Sequence, residues 1–324
     1  GFASAPLRVQ QAAAPAYKFT EHEDGTYTLT LFSNFPRGTN LDGLNETNIP
    51  EFADGRVYPS SVTTLVIEGD APDLTNDQVS GIKSRRSFPF TGLAHVSLPN
   101  FTGTIPESAF GWRGLGVQQT WLESFSAPLA TSIGSYAFEG CTALTGPLDF
   151  PEVTKIGYYA FSSCPLLTCP LNFPEVTEIE DGAFSNCTGL TGSLSFLKVT
   201  KIGSSAFSYC TGLDGTLDFP EATRIGSDAF RDCTSLTGIH LPKAYSFGNS
   251  VFINVSNCTL RFDSPAGTIS FGTGIVGMEC FNNSSTMTLQ LGTGAQPARP
   301  TTLPAMNTAW NGYTWGRIEA YQQP

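Results

Sequence analysis

No apolar run in this chain approaches the ~18 residues that a membrane-spanning helix needs, so no transmembrane segment is expected within it. Charge is scarce: Asp, Glu, Lys and Arg make up 14% of 324 residues, and 17 Lys and Arg face 28 Asp and Glu. A chain with a formal net charge of −11 and no basic cluster repels phosphate backbones and anionic lipid. Nucleic acid and anionic membrane surfaces therefore drop out as partners. Histidine is limited to His22, His95 and His240, far apart in the sequence, and no Cys-x-x-Cys spacing occurs, so no metal ion or cofactor is expected. The strings H-E-x-x-H and G-x-S-x-G and the P-loop are also missing, which leaves no support for catalysis. Gly272–Gly277 does spell G-x-G-x-x-G, but the residues after it are poor helix formers, and dinucleotide binding needs a helix N-terminus there.

What the chain does have is turn chemistry and apolar bulk. Hydrophobic residues are 40%, Phe alone numbers 24, and Gly (33) with Pro (22) gives about 17%, enough for many reversals and too little for disorder. The apolar residues are periodic. Ile133, Ile156, Ile179, Ile202 and Ile225 stand 23 apart, and the same step relates Phe138, Phe161, Phe184, Phe207 and Phe230. Cys141, Cys164, Cys187, Cys210 and Cys233 form a third column, and Leu144, Leu167, Leu190, Leu213 and Leu236 a fourth. Such self-similarity marks a repeat architecture in which each unit touches only its neighbours.

Within one unit, Leu171-Asn172-Phe173 alternates as a half-buried strand does. Pro174 ends it, and Val176-x-x-Ile179 begins a second extended stretch. Ala160–Cys164 is too short for a helix and reads as a single helical or 3₁₀ turn. No unit can form a core alone, so equivalent Ile, Phe, Cys and Leu must stack from coil to coil at roughly 4.8 Å. Fainter echoes precede the regular units at Thr64–Ile67, Leu93–Pro99 and Ile105–Phe110. Others follow them at Phe247, Phe252, Leu260–Phe262 and Met287–Leu291. Asp24-Gly25 ahead of Thr26–Leu31 signals a hairpin.

The expected organisation is a lead or tether over 1–17, an N-terminal β cap over 18–60, a solenoid over 61–291 most regular at 133–242, and a C-terminal cap over 292–324. The lead, rich in Ala, Pro and Gln and starting at Gly1 without Met, suits an anchor segment downstream of a removed signal peptide and a cloning remnant equally well.

The pattern Ile-Gly-x-x-Ala-Phe-x-x-Cys-x-x-Leu followed by a Leu-Pro strand resembles the BspA-like leucine-rich repeat, most clearly over Ile225–Pro242. The resemblance implies a mainly β leucine-rich-repeat solenoid with short helical or 3₁₀ turns, in right-handed coils of about 22–23 residues. It also implies an exported bacterial protein, at the cell surface (lipid-anchored or wall-linked) or secreted, acting in adhesion.

The eight Cys would suit a disulfide framework in such a setting. In the next unit, however, Val255 takes the Cys place and Cys258 the Leu place, as expected of a small buried hydrophobe. Coil spacing still leaves pairing geometrically open. Cys169 stands where Gly146, Gly192, Gly215 and Gly238 stand in other units.

If Leu148 and Phe150 point inward, an outward row runs through His95, Asp149, Asn172, Ser195, Asp218, His240, Arg261 and Gln290. That row is the candidate partner-binding face, because solenoids offer partners such extended surfaces. Asp149 and Asp218, three coils or about 14 Å apart, are too distant for paired-carboxylate chemistry. The opposite stretch, with Glu152/Lys155, Glu175/Glu178, Lys198/Lys201 and Glu221/Arg224, reads as a charge ladder and not a site. A monomeric module holding an extracellular protein or glycoprotein is the leading expectation. The alternatives are a carbohydrate-binding protein, with Trp112, Trp121, Trp310 or Trp315 near the ends as platforms, and a structural stalk.

Overall fold

The computed structural model describes residues 15–33, 49–52, 55–68, 91–111, 119–168, 170–262, 282, 284 and 287–290. It also describes the backbone of 291–292 and of the strands Ala309–Trp310, Tyr313–Thr314 and Arg317–Tyr321. Cys169 and the Gly272–Gly277 string lie outside the described residues.

Every regular coil places two short strands at a corner. Leu148–Asp149, Leu171–Asn172, Leu194–Ser195, Thr216–Asp218 and Gly238–His240 belong to the first strand position. Lys155–Ile156, Glu178–Ile179, Lys201–Ile202 and Arg224–Ile225 belong to the second. The corner is a β-turn: the amide of Val153 donates to the Phe150 carbonyl at 3.3 Å, that of Ala222 to Phe219 at 3.2 Å, and that of Ala244 to Leu241 at 3.2 Å. Pro151, Pro220 and Pro242 occupy the second turn position, where a fixed φ is already correct. Leu197 fills that position in its own coil and is 56% exposed, since a corner residue has nothing to pack against.

Both strand positions build parallel ladders. The second forms one seven-stranded sheet from Gly103–Ile105 to Ser246–Phe247, pairing Ile133, Ile156, Ile179, Ile202, Ile225 and Phe247 in unbroken register. The first forms a five-stranded sheet that opens with the antiparallel hairpin Tyr17–Glu21 and Tyr27–Leu31, then the pair Leu148–Asp149 and Leu171–Asn172. A six-stranded sheet from Leu194–Ser195 to Arg317–Tyr321 completes it. The expected Asp24-Gly25 turn is present, with Asp24 Oδ1 accepting from the Thr26 amide at 2.9 Å and Gly25 at φ 78°. Tyr27–Leu31 then pairs in parallel with Val62–Ile67, so the hairpin continues directly into the solenoid sheet.

The segment read as a helical or 3₁₀ turn is instead a succession of β-turns. In the coil from Glu180, the amides of Ala183, Ser185, Cys187 and Leu190 donate to the carbonyls of Glu180, Gly182, Phe184 and Cys187 at 2.9–3.3 Å. Left-handed residues two before and two after each Phe make this path: Tyr159, Gly182, Ser205 and Asp228 on one side, Ser163, Asn186, Tyr209 and Asp232 on the other. The geometry turns alternate peptides outward along the stack. Gly182, Phe184 and Asn186 consequently donate to Ser204, Ala206 and Ser208 of the next coil at 2.7–2.8 Å, giving the turn side its own ladder.

The interior follows from this stacking. Phe138, Phe161, Phe184, Phe207, Phe230 and Phe252 lie ring over ring, 5.0–5.8 Å apart and within 11° of parallel. A second column, Phe150, Phe173, Phe196 and Phe219, runs beside it. The six Cys that are described are buried, and no disulfide joins any two of them. Each thiol in the regular column has a polar task. Cys164, Cys187, Cys210 and Cys233 donate to the carbonyls of Phe138, Phe161, Phe184 and Phe207 of the preceding coil at 3.0–3.1 Å. Burial pushes the Cys187 and Cys233 thiols up to about 12, so they stay protonated donors.

The shorter coil, 22 residues instead of 23, keeps strand register, with Leu217 opposite Ile239 and Asp218 opposite His240. Gly238 is thereby opposite Thr216 and not in the column of Gly192 and Gly215. The missing residue is taken up in the turn before the strand. At Gly215 itself glycine is required by close approach, because a Cβ there would fall 2.4 Å from the Gly192 carbonyl carbon.

Phe184→Ala, in the middle of the stack, should cost about 3–5 kcal/mol in urea denaturation, the range for truncating a fully buried Phe. Alkylation of the native protein at about pH 8 should leave Cys187 and Cys233 unmodified and label both after unfolding, as read by peptide mass spectrometry. Modification at the native rate of an exposed thiol would contradict their burial.

Candidate binding face

Register places parts of the expected outward row opposite one another within three sheets. In the five-stranded sheet Thr64, His95 and Ser124 are opposite one another. Asp149 faces Asn172 in the pair that follows. In the six-stranded sheet Ser195, Asp218, His240, Arg261, Gln290 and the backbone of Glu319 continue the row. Within each of these three sheets the sequence-chosen residues lie opposite one another, and no strand pairing joins Ser124 to Asp149 or Asn172 to Ser195. Thr64, Ser124 and Glu319 belong to the row as well and were missed, because their units depart from the 23-residue step. Beneath the row, Leu194, Leu217, Ile239, Leu260 and Leu289 are buried, as period-two alternation requires.

The rungs are not chemically alike. Toward the N-terminal end they satisfy one another. His95 Nδ1 and Ser124 Oγ are 2.8 Å apart, and Asn172 Nδ2 donates to Asp149 Oδ1 at 2.6 Å. From Ser193 to Gln290 the face instead opens into a groove of about 540 Å³. Its wall carries Ser195, Asp218, His240, Arg261 and Gln290 from the row, and Ser193, Thr216 and Thr259 from the rungs alongside.

His240 Nδ1 lies 2.7 Å from Asp218 Oδ1, which assigns the hydrogen to Nδ1. Its Nε2 is shielded from solvent and has no hydrogen-bond partner among the described residues. Gly238 is buried in the hydroxyl rung between Thr216 and Thr259. A Cβ there would sit 2.9 Å from Thr216 Oγ1. No group of three or more His, Cys, Asp or Glu suited to a metal ion occurs among the described residues, and none of their helices is long and apolar enough to cross a membrane.

No Phe, Tyr or Trp occurs among the described residues that line this groove. Trp121, considered above as a sugar-stacking residue, is buried at 6% exposure and donates through Nε1 to Gln119 Oε1 at 2.9 Å. Trp112 and Trp315 lie outside the described residues, and only the backbone of Trp310 is described.

The opposite sheet carries the expected charge ladder. Lys155 meets Glu178 at 3.3 Å, Lys198 meets Glu175 at 2.6 Å and Lys243 meets Glu221 at 2.7 Å. One member was not anticipated: Glu180 stands where neighbouring coils have Gly157, Gly203 and Gly226. Its side chain is 5% exposed and reaches Lys155 Nζ at 2.6 Å and Lys201 Nζ at 3.4 Å. Burial alone would raise this carboxyl, but the two ammonium groups outweigh it and hold Glu180 below the usual glutamate value.

The family model for the BspA type leucine-rich repeat region matches in six copies over residues 118–222 and 200–295, together more than half of the chain. No functionally curated protein matches. Among solved structures, a leucine-rich repeat protein from Bacteroides ovatus ATCC 8483 is 16% identical with a TM-score of 0.46, over 95% of this chain and 76% of that one. A leucine-rich repeat protein of T. pallidum is 18% identical with a TM-score of 0.36, over 82% and 87%. A leucine rich cell surface protein from Faecalibacterium prausnitzii A2-165 is 17% identical with a TM-score of 0.38, over 95% and 94%.

A lowered folded-state carboxyl contributes stability at neutral pH that is lost as pH falls through the ordinary glutamate range toward the folded value. Glu180→Gln should therefore lower the melting temperature at pH 7 and narrow the difference between pH 7 and about pH 3. An unchanged difference would mean that the Lys155–Glu180–Lys201 bridge contributes nothing.

Proposed function

The chain belongs to the BspA-type leucine-rich-repeat family, and from that membership we propose that it is a non-catalytic module displayed at a bacterial surface, holding an extracellular protein through its strand face. The observation that carries this reading is the groove between Ser193 and Gln290. There the polar groups of the row line a cleft, with Asp218 and His240 paired within it. Ligand sites are commonly clefts of about 300–1,000 Å³, and this one falls inside that range. The N-terminal rungs, closed by the His95–Ser124 and Asp149–Asn172 pairs, extend the surface without supplying a cleft.

Adhesion is the biological setting that the family suggests. A glycan ligand is less favoured, because the described residues lining the groove include no Phe, Tyr or Trp for a sugar to stack on. A bare stalk would not require polar groups to converge in a cleft.

The test is an array of extracellular proteins and glycans probed with the wild-type chain, Asp218→Arg and Asp149→Arg, with melting temperature recorded for each. Asp218→Arg should reduce binding to a protein at least tenfold, and Asp149→Arg should reduce it much less, with both folds intact. Binding confined to glycans, or no binding by the wild type, would overturn the proposal.

A further inference from the structure

We infer that the groove receives a lysine side chain from an extended segment of its protein partner, with Asp218 as the group that takes the ammonium. This rests on the reading above that the partner is a protein. Asp218 is the one carboxylate among the described residues lining the groove, and its side chain is 39% exposed. His240 on the next rung holds Oδ1 at 2.7 Å, and no described residue meets Oδ2. A second hydrogen on that imidazole, at Nε2, would be buried with no acceptor among the described residues. The pair therefore keeps the negative charge of Asp218 and is short of donors, not acceptors. Ser195, opposite Asp218 on the other side, is exposed and adds a hydroxyl that no described residue engages.

The remaining lining narrows the ligand. Leu194 and Ile239 are 3% and 1% exposed, so no apolar anchor is available. Affinity has to come from charge and hydrogen bonds. A guanidinium fork pairs best with both oxygens of a carboxylate, and here one of them is committed to His240. The compact ammonium of Lys needs only one oxygen, and its other donors suit the Ser195 hydroxyl. Arg261 has an interaction of its own and lies two rungs beyond Asp218, about 10 Å away, near the screening length of physiological salt. The net charge of −11 adds a longer-range field that draws cationic segments toward the chain. Five rungs at about 4.8 Å span roughly 19 Å, the length of about six extended residues. Over that length the hydroxyls of Thr216 and Thr259 run beside the row and suit the amides and carbonyls of an extended chain.

The experiment uses the whole chain and a dense array of Gly/Ser hexapeptides with Lys, acetyl-lysine, Arg or Glu fixed at an inner position. Glucosamine oligosaccharides and intact extracellular proteins are spotted alongside. Wild type, Asp218→Asn and Asp149→Asn are compared after matched thermal melts. The wild type should favour Lys over acetyl-lysine by about tenfold, the loss expected of one charge-assisted pair, with Arg between them and Glu weakest. Added salt should erode that preference. Asp218→Asn keeps an acceptor for His240 Nδ1 and should abolish the preference. Asp149→Asn, on the same face but outside the groove, should leave it intact.

Equal retention of the Lys and acetyl-lysine hexapeptides, or retention of neither, by a wild type that still captures intact proteins would sink lysine recognition and leave the protein-binding reading standing. An intact preference in folded Asp218→Asn would remove Asp218 from the role. Binding of glucosamine oligosaccharides with no peptide or protein bound would overturn both readings.

Discussion

Coil-to-coil hydrogen bonding is the constraint from which the rest of this molecule follows. Where the ladders are continuous, a coil bonds to its neighbour at three places, the two strand positions and the turn run such as that around Phe184; the first strand position is unpaired between Leu171–Asn172 and Leu194–Ser195. A chain tied at three points to the coils before and after it cannot slide, because a one-residue slip would send Leu217 outward and Asp218 into the core. The parallel Phe rings and the S–H bonds to Phe carbonyls are consequences of that fixed alignment. So is the polar row: its groups line up because the greasy groups beneath them already have.

The columns were readable because burial restricts a position to a few residue types, and Ile, Phe, Cys and Leu recur without interruption from 133 to 236. Alternation around Leu148 and Phe150 was enough to find eight rungs of the face. The turn run was not readable, since what its geometry demands is a backbone angle and not a side chain. Tyr159, Gly182, Ser205 and Asp228 share a left-handed conformation and almost nothing else. A pattern search sees no column there. Glu180 was missed for a related reason, because a carboxylate at a glycine position makes sense only once Lys155 and Lys201 flank it in space.

The face also shows what rung positions alone leave out. Asp149 and Asp218 hold the same place in their coils, yet one accepts a hydrogen bond from the Asn172 amide and the other is hydrogen-bonded to the His240 imidazole beside an open cleft. The difference lies in which residue occupies the adjacent coil. Function on such a surface belongs to combinations of neighbours, and a single-residue list of candidates overstates how much of the row takes part.

Equal spacing of the coils gives the molecule a particular kind of evolvability. Because the Ile179 and Ile202 rungs meet their neighbours through the same contacts, removal or duplication of one complete coil would rejoin like with like. Everything beyond the splice would be displaced by one rung while its chemistry stayed intact. Such a chain can lengthen, shorten or re-space its surface groups by recombination in whole windings, leaving the packing inside each winding untouched.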